Sequence, residues 1–300
     1  VPAALSHFLF AQDCLSRRPA LFPGGAAAVL AGTQGPDPLA FYGRLPWRRR
    51  GAVDSAWAAG ETLHAGNPET TYTRMLRFAD ARPEPQRGRM RAFVLGLVLH
   101  YVLDRKLHPY VYFHSGFDER GLLSGDHLRA HNRFEAALAA GLWAWLRPGS
   151  PIPPPRLYLN VDPAVIADAD ILFSASSPGL VDPHVYRASW SDMVLVLRIL
   201  HDPRGFKKRL ISGLAGSLII PAASSPEACG GCLNKAGTPW RNPGDGAPSS
   251  AMPMELYAEA LDEGLAALDA LARGTTAGVF DGRNHEGLPP GERMIYKREP

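Results

Sequence analysis

Apolar and polar positions recur along this chain with the period of an α-helix. Phe134, Leu138, Leu142 and Leu146 form a stripe four residues apart, and no segment alternates residue by residue between hairpin turns. The pattern predicts helices near 4–16, 23–31, 53–64, 69–80, 87–107, 127–146, 163–175, 183–200, 204–220 and 253–272, hence an all-α fold. The segment Phe93–Leu99 is almost wholly apolar, so the helix that contains it is expected to be buried. Pro151, Pro153, Pro154 and Pro155 mark a boundary over 148–160. Residues 1–272 read as one multi-helix domain, with helices of 161–272 as its supporting wall. Residues 224–250, rich in Gly, Pro and Ser, are expected to loop over the mouth of a site. The polar tail 273–300 is expected to be partly disordered.

The buried helix is followed by groups that do not belong in a dry core. His100, Asp104 and His108 stand four residues apart, and at about 3.6 residues per turn all three project from one face. Pro109 disfavours helical geometry at the residue before it, which predicts that His108 lies at or just past the helix end. His131 and Glu135 repeat the spacing on the next helix. His7 in an apolar segment, Asp37 in the turn Gly35-Pro36-Asp37-Pro38 and His64 before Gly66-Asn67-Pro68 complete a set of candidates. These eight, His7, Asp37, His64, His100, Asp104, His108, His131 and Glu135, offer imidazole and carboxylate without thiolate, a donor set that favours zinc. They exceed what one tetrahedral ion uses; two or three ions sharing a carboxylate fit the number. Most have a plainer reading: His100 with Asp104 as a core histidine paired with a carboxylate, Asp37 as a turn residue, His64 beside a helix end, His7 as a core histidine, His131 with Glu135 as a solvated helix pair. His114 and His127 read as surface or supporting groups, and His184, His201 and His285 show no partner in the sequence.

Composition narrows the field. A net charge of +3 without a basic tract does not indicate a large nucleic-acid footprint, although it leaves nucleic acid open as a partner. The longest apolar runs, 93–99 and 215–223, are too short to span a bilayer, so no transmembrane segment is expected. Residues 1–32 lack the pattern of an export signal, which leads to the expectation of a cytoplasmic protein. Three cysteines do not make a disulfide framework, and Cys229-Gly-Gly-Cys232 reads as a Gly-rich loop that holds two thiols. No P-loop and no serine nucleophile elbow is present.

The order Pro2-Ala-Ala-Leu-Ser-His7, Gly35-Pro-Asp37, Leu63-His64, His100-xxx-Asp104-xxx-His108-Pro109-Tyr110 and His131-xxx-Glu135 resembles the zinc-dependent phospholipase C family, which shares its fold with the S1/P1 nucleases. Leu233-Asn234, Pro239-Trp240-Arg241-Asn242-Pro243 and the helix from Met254 extend the likeness over most of the chain, closest to poorly characterised bacterial members. The resemblance implies an all-helical fold with a trinuclear zinc centre between helices. By position it implies Asp37, His64, His100 and Asp104 on one zinc, His108, His131 and Glu135 on a second, and His7 with a bridging Asp104 on a third.

Two departures bear on this. The sequence begins Val1-Pro2 where the secreted relatives offer an N-terminal Trp, so the third zinc is expected to be weaker. Asp104 and His108 stand closer than in those relatives, which leaves His114 as a substitute for His108. The implied activity is hydrolysis of a phosphoester, with phospholipid the leading substrate, peripheral membrane contact a corollary and Asp37 the choice for general base. Two other readings stand beside it: a single-strand nuclease or nucleotidase, with Tyr42, Tyr101, Tyr110 and Tyr112 as stacking candidates, and a zinc-stabilised helical scaffold without turnover.

Overall fold

A computed structural model describes residues 4–21, 25–45, 50–115, 127–202, 206–211, 216–221 and 231–294. Its axis is the helix α5, Gln86–His114, whose buried face runs from Met90 through Leu97, Val98 and Leu99 to Tyr110 and Val111. Around it pack α1 (Ala4–Arg17), α2 (Ala26–Gly32), α4 (Pro68–Asp80), α6 (His127–Leu146), α7 (Pro163–Ser176) and α10 (Pro253–Ala272). The helices α3 (Arg50–Ala65) and α8 (Val185–Leu200) flank the 3₁₀ turn Asp37–Phe41, and α9 (Phe206–Leu210) follows α8. The described residues are thus mainly helical. Two short strands are the exception, β1 (Trp240–Arg241) and β2 (Pro248–Ser249), which pair antiparallel.

Local chemistry starts the helices where they start. The Asn67 side chain accepts the Thr70 N–H at 3.1 Å, Asp162 accepts that of Ala164 at 2.8 Å, and each is followed by a proline in the first turn. The α2–α5 crossing depends on two glycines. A Cβ on Gly32 would lie 2.0 Å from the Phe93 carbonyl oxygen, and one on Gly96 would lie 2.2 Å from that of Val29. This close approach carries the chain after α2, residues 33–37, against the middle of α5.

Three expectations are corrected. The helix predicted to end near 107 continues through Pro109 to His114, so His108 lies inside it. Pro109 deprives the Arg105 carbonyl of its helical partner, but Tyr110 and Val111 beyond it are buried, and the tail at Gly287 lies against that carbonyl. A helix over 204–220 is interrupted: α9 ends at Leu210 and Ile211 lies outside it, and a Cβ on Gly216 would sit 2.5 Å from the Ile211 carbonyl oxygen. The described part of the tail, 273–294, is not loose. Val279 joins the core, Phe280 packs on it, and Asn284, His285 and Met294 are buried; residues 295–300 lie outside the described residues.

Candidate metal centre

All eight candidate ligands meet at one place. The helix α5 supplies His100, Asp104 and His108 from successive turns, and the carboxylate of Asp104 stands at the centre of the group. His100 Nε2 lies 2.9 Å and His7 Nε2 3.1 Å from its oxygens, with His64 Nε2 and His108 Nε2 each at 3.8 Å. Asp37 reaches His64 Nε2 at 3.1 Å from the turn after α2. On the other side Glu135 stands 3.1 Å from His131 Nε2 and 3.6 Å from His108 Nε2. Three trios have donor atoms within 4.8 Å of one another: His7, Asp37 and His100; His64, His100 and Asp104; and His108, His131 and Glu135. His7 is thus grouped with Asp37 and His100 as well as lying beside Asp104, and its ring stacks on that of His100 at 4.1 Å.

The orientation of the imidazoles says more than their proximity. His64 Nδ1 donates to the Gly60 carbonyl at 2.9 Å, His100 Nδ1 to that of Thr33 at 3.0 Å, and His108 Nδ1 to that of His285 at 2.9 Å. His131 Nδ1 meets the Ser115 hydroxyl at 3.2 Å. With Nδ1 engaged, each ring turns Nε2 inward, and a ring that donates from Nδ1 carries a free lone pair there when neutral. This is how metal-binding histidines are held. His100 Nε2 and both ring nitrogens of His7 are buried with no well-directed hydrogen bond, although carboxylate oxygens lie close. Lone pairs that converge without hydrogen bonding one another suit a shared cation, and the N/O donor set suits zinc.

Charge follows the same geometry. Burial pushes the carboxyls of Asp37 and Asp104 up, but the facing imidazoles, His100 first, outweigh it and hold both below the usual carboxylate range; Glu135, faced by His131 and His108, is held below it too. Burial opposes protonation of His64 and His108, yet Asp37 raises His64 to about 8 and Asp104 with Glu135 raises His108 to about 10. His7 is lowered by burial and by His100.

A cleft of about 170 Å³ opens onto these residues. Its wall includes Trp57, Glu61, Tyr112, Asn132, Glu286 and Arg293. The described part of 224–250 does not cover this mouth: Trp240 packs on Tyr110 with ring centres 5.3 Å apart, and the Cys232 carbonyl accepts the Tyr110 hydroxyl. Cys232 is buried, and Cys229 lies outside the described residues. The tail, through Glu286, Arg293 and Met294, lines the mouth instead. His114 stacks on Phe134 and joins no donor trio, so the ring at the site is that of His108. Of the four tyrosines, Tyr112 lines the cleft, whereas Tyr101 and Tyr110 are in the core. Val1–Ala3 lie outside the described residues.

Several site residues escape the sequence reading. His285, taken as partnerless, donates from Nδ1 to the His64 carbonyl at 3.1 Å and accepts the Tyr72 hydroxyl on Nε2 at 2.8 Å. Burial and the neighbouring His64 and His100 hold it well below its ordinary pKa, and with both nitrogens engaged it braces the ligands rather than joining them. His184 is likewise not alone, with Nδ1 3.6 Å from Asp170. Trp57, Glu61 and His64 share one face of α3, and the i, i+4, i+7 spacing is a signal that finds the first two once His64 is suspected. Nothing local marks Asn132 or the tail residues. Among protein-family models, curated proteins and solved structures, none matches this chain.

Proposed function

We propose that this chain is a zinc-dependent phosphoester hydrolase of the phospholipase C type. The observation that carries the reading is the set of three imidazoles anchored through Nδ1 to backbone carbonyls, Nε2 inward, around the buried carboxylates Asp104 and Glu135 at the floor of a cleft. His64, His100, Asp104 and Asp37 would hold one ion, His108, His131 and Glu135 a second, and His7 with Asp104 would take part in a third. Zinc held there supplies Lewis acidity, which activates water and offsets the negative charge of phosphoryl oxygens. Asp37, ionised and in the lining of the cleft, would orient the attacking water and accept its proton. Trp57 on the same wall favours a second reading, a nuclease that stacks a base there.

Two measurements test the proposal. Mass-spectrometric metal analysis of protein never exposed to chelator should return at least two zinc ions per chain; one or fewer refutes a multinuclear centre. Zinc-loaded protein should cleave bis(p-nitrophenyl) phosphate, with phosphatidylcholine and single-stranded DNA run beside it to separate lipase from nuclease. If none of the three is cleaved faster than by free zinc, the hydrolase reading fails and the scaffold remains.

A further inference from the structure

We propose that Asn132 and Arg293 form an anion seat on the wall of the metal cleft, taking the non-bridging oxygens of a phosphoryl group. The inference rests on the hydrolase reading for its substrate class, but its evidence is independent of the metal ligands. Asn132 sits on α6 between His131 and Glu135, lines the cleft and is 1% exposed. Neither its Nδ2 nor its Oδ1 has a hydrogen-bond partner among the described residues. A buried primary amide without partners is costly, and native proteins keep one where something else completes it. Here the amide lies next to two metal ligands in the wall of a cleft. A group bound at the metal centre is therefore within its neighbourhood, and Nδ2–H is a donor suited to an oxyanion.

Arg293 supplies the charge. Among the described residues that line this cleft it is the one Lys or Arg, where Glu61, Glu286, Asp37, Asp104 and Glu135 otherwise face an incoming anion. Its Nη1 donates to Glu61 Oε2 at 2.5 Å, and both side chains are exposed, 57% and 39%. An exposed pair of this kind is weakly held, so the guanidinium can exchange Glu61 for a phosphoryl oxygen at little cost. The Tyr112 hydroxyl, which also lines the cleft, is already committed to Glu286 at 3.1 Å. The seat therefore has a deep, uncharged donor and a charged donor at the rim, the latter held in reserve by a carboxylate.

The test uses the full zinc-loaded chain, with inorganic phosphate titrated by calorimetry and zinc content measured for every variant. Asn132→Leu should weaken phosphate about tenfold while its melting temperature stays at or above the wild-type value, since an apolar side chain of similar size relieves the unpaired amide. Arg293→Ala should weaken phosphate by a similar factor and raise KM for bis(p-nitrophenyl) phosphate more than it lowers kcat; Arg293→Lys should recover part of the loss. Glu61→Gln should tighten phosphate, because it releases the guanidinium. The rim variants carry the test even if Asn132→Leu folds poorly, and a clear fall in its melting temperature would assign the amide a structural role and remove it from the seat. Phosphate affinity within about twofold of wild type in both Asn132→Leu and Arg293→Ala, at equal zinc content, overturns the proposal, as does failure of the wild type to bind phosphate. The hydrolase reading is judged separately by turnover: phosphate bound as expected without cleavage sinks that reading and leaves the seat standing.

Discussion

Replacing Gly35 by alanine should disable the metal centre while leaving the fold in place. Gly35 has φ of +56°, and its carbonyl accepts the Tyr186 hydroxyl at 2.9 Å, so the turn that aims Asp37 is held in that conformation. An L side chain there costs about 1–2 kcal/mol from backbone strain alone. The larger effect is steric. A Cβ at this position would lie 2.4 Å from His100 Cδ2, 2.5 Å from Nε2 and 2.6 Å from Cε1. To restore an ordinary contact, the imidazole or the turn must retreat by roughly 1 Å, twice the ~0.5 Å within which a metal ligand has to be held. His100 cannot swing aside, because Nδ1 is bonded to the Thr33 carbonyl and the ring is stacked on His7. Zinc affinity should therefore fall by more than tenfold, as for losses of ligand support. A competition titration against a fluorescent chelator reads the affinity, and thermal melts with and without EDTA read the stability. Wild-type zinc affinity in a folded Gly35→Ala protein would refute the argument, since it would mean that the His100 ring does not occupy its described place when metal is bound.

Asp104→Asn should cost more zinc and more thermal stability than any single His→Ala change, because four imidazoles face that carboxylate and an amide cannot neutralise the shared charge; parallel melts and metal analysis decide it, and a smaller effect than His131→Ala would count against a central role. The chelated protein should lose stability as pH rises from 6.5 to 10. His64 and His108 have raised values, about 8 and about 10, so the stability they contribute is full below their unfolded value of 6.5 and is lost as pH climbs through the folded ones. The depressed carboxylates Asp37, Asp104 and Glu135 act on the acid side, where their contribution is lost as pH falls below the normal carboxylate range. Zinc competes with the same protons, so the gap in melting temperature between loaded and chelated protein should widen from pH 6 to pH 8.5. A chelated protein whose melting temperature is flat or rises over that span would refute the assignment.

What was legible in the sequence is what repeats at the period of a helix. The α6 stripe and the i, i+4 ligands of α5 and α6 were readable because one-dimensional spacing becomes one face. Asp37 and His64 were readable from their turn and helix end together with that set. Pro109 misled because the penalty of a proline is local, whereas the helix beyond it is held by burial of Tyr110 and Val111, which only the tertiary structure reveals. The bracing role of His285 had no signal at all, since its partners Tyr72 and His64 lie 213 and 221 residues away. Polar composition made the tail look loose for the same reason: its asparagine and histidine are buried by groups distant in sequence. Asn132 was hidden because nothing in the sequence shows that its amide is buried without a partner among the described residues.

The contact between the tail and the ligand helices also sets an order of events during synthesis. Every proposed ligand has been translated once residue 135 is made, but the carbonyl that orients His108 belongs to His285, 177 residues later than its donor. A nascent chain thus carries its proposed metal-binding side chains from residue 135 until residue 285 before the brace exists. On the proposed reading, ion capture in the mature geometry is then a late step, completed when the tail docks on α3 and α5. A chain cut short of that segment would keep all eight donors and still lack the clamp that aims one of them. Cells would see it as a promiscuous, weak chelator in place of a finished site.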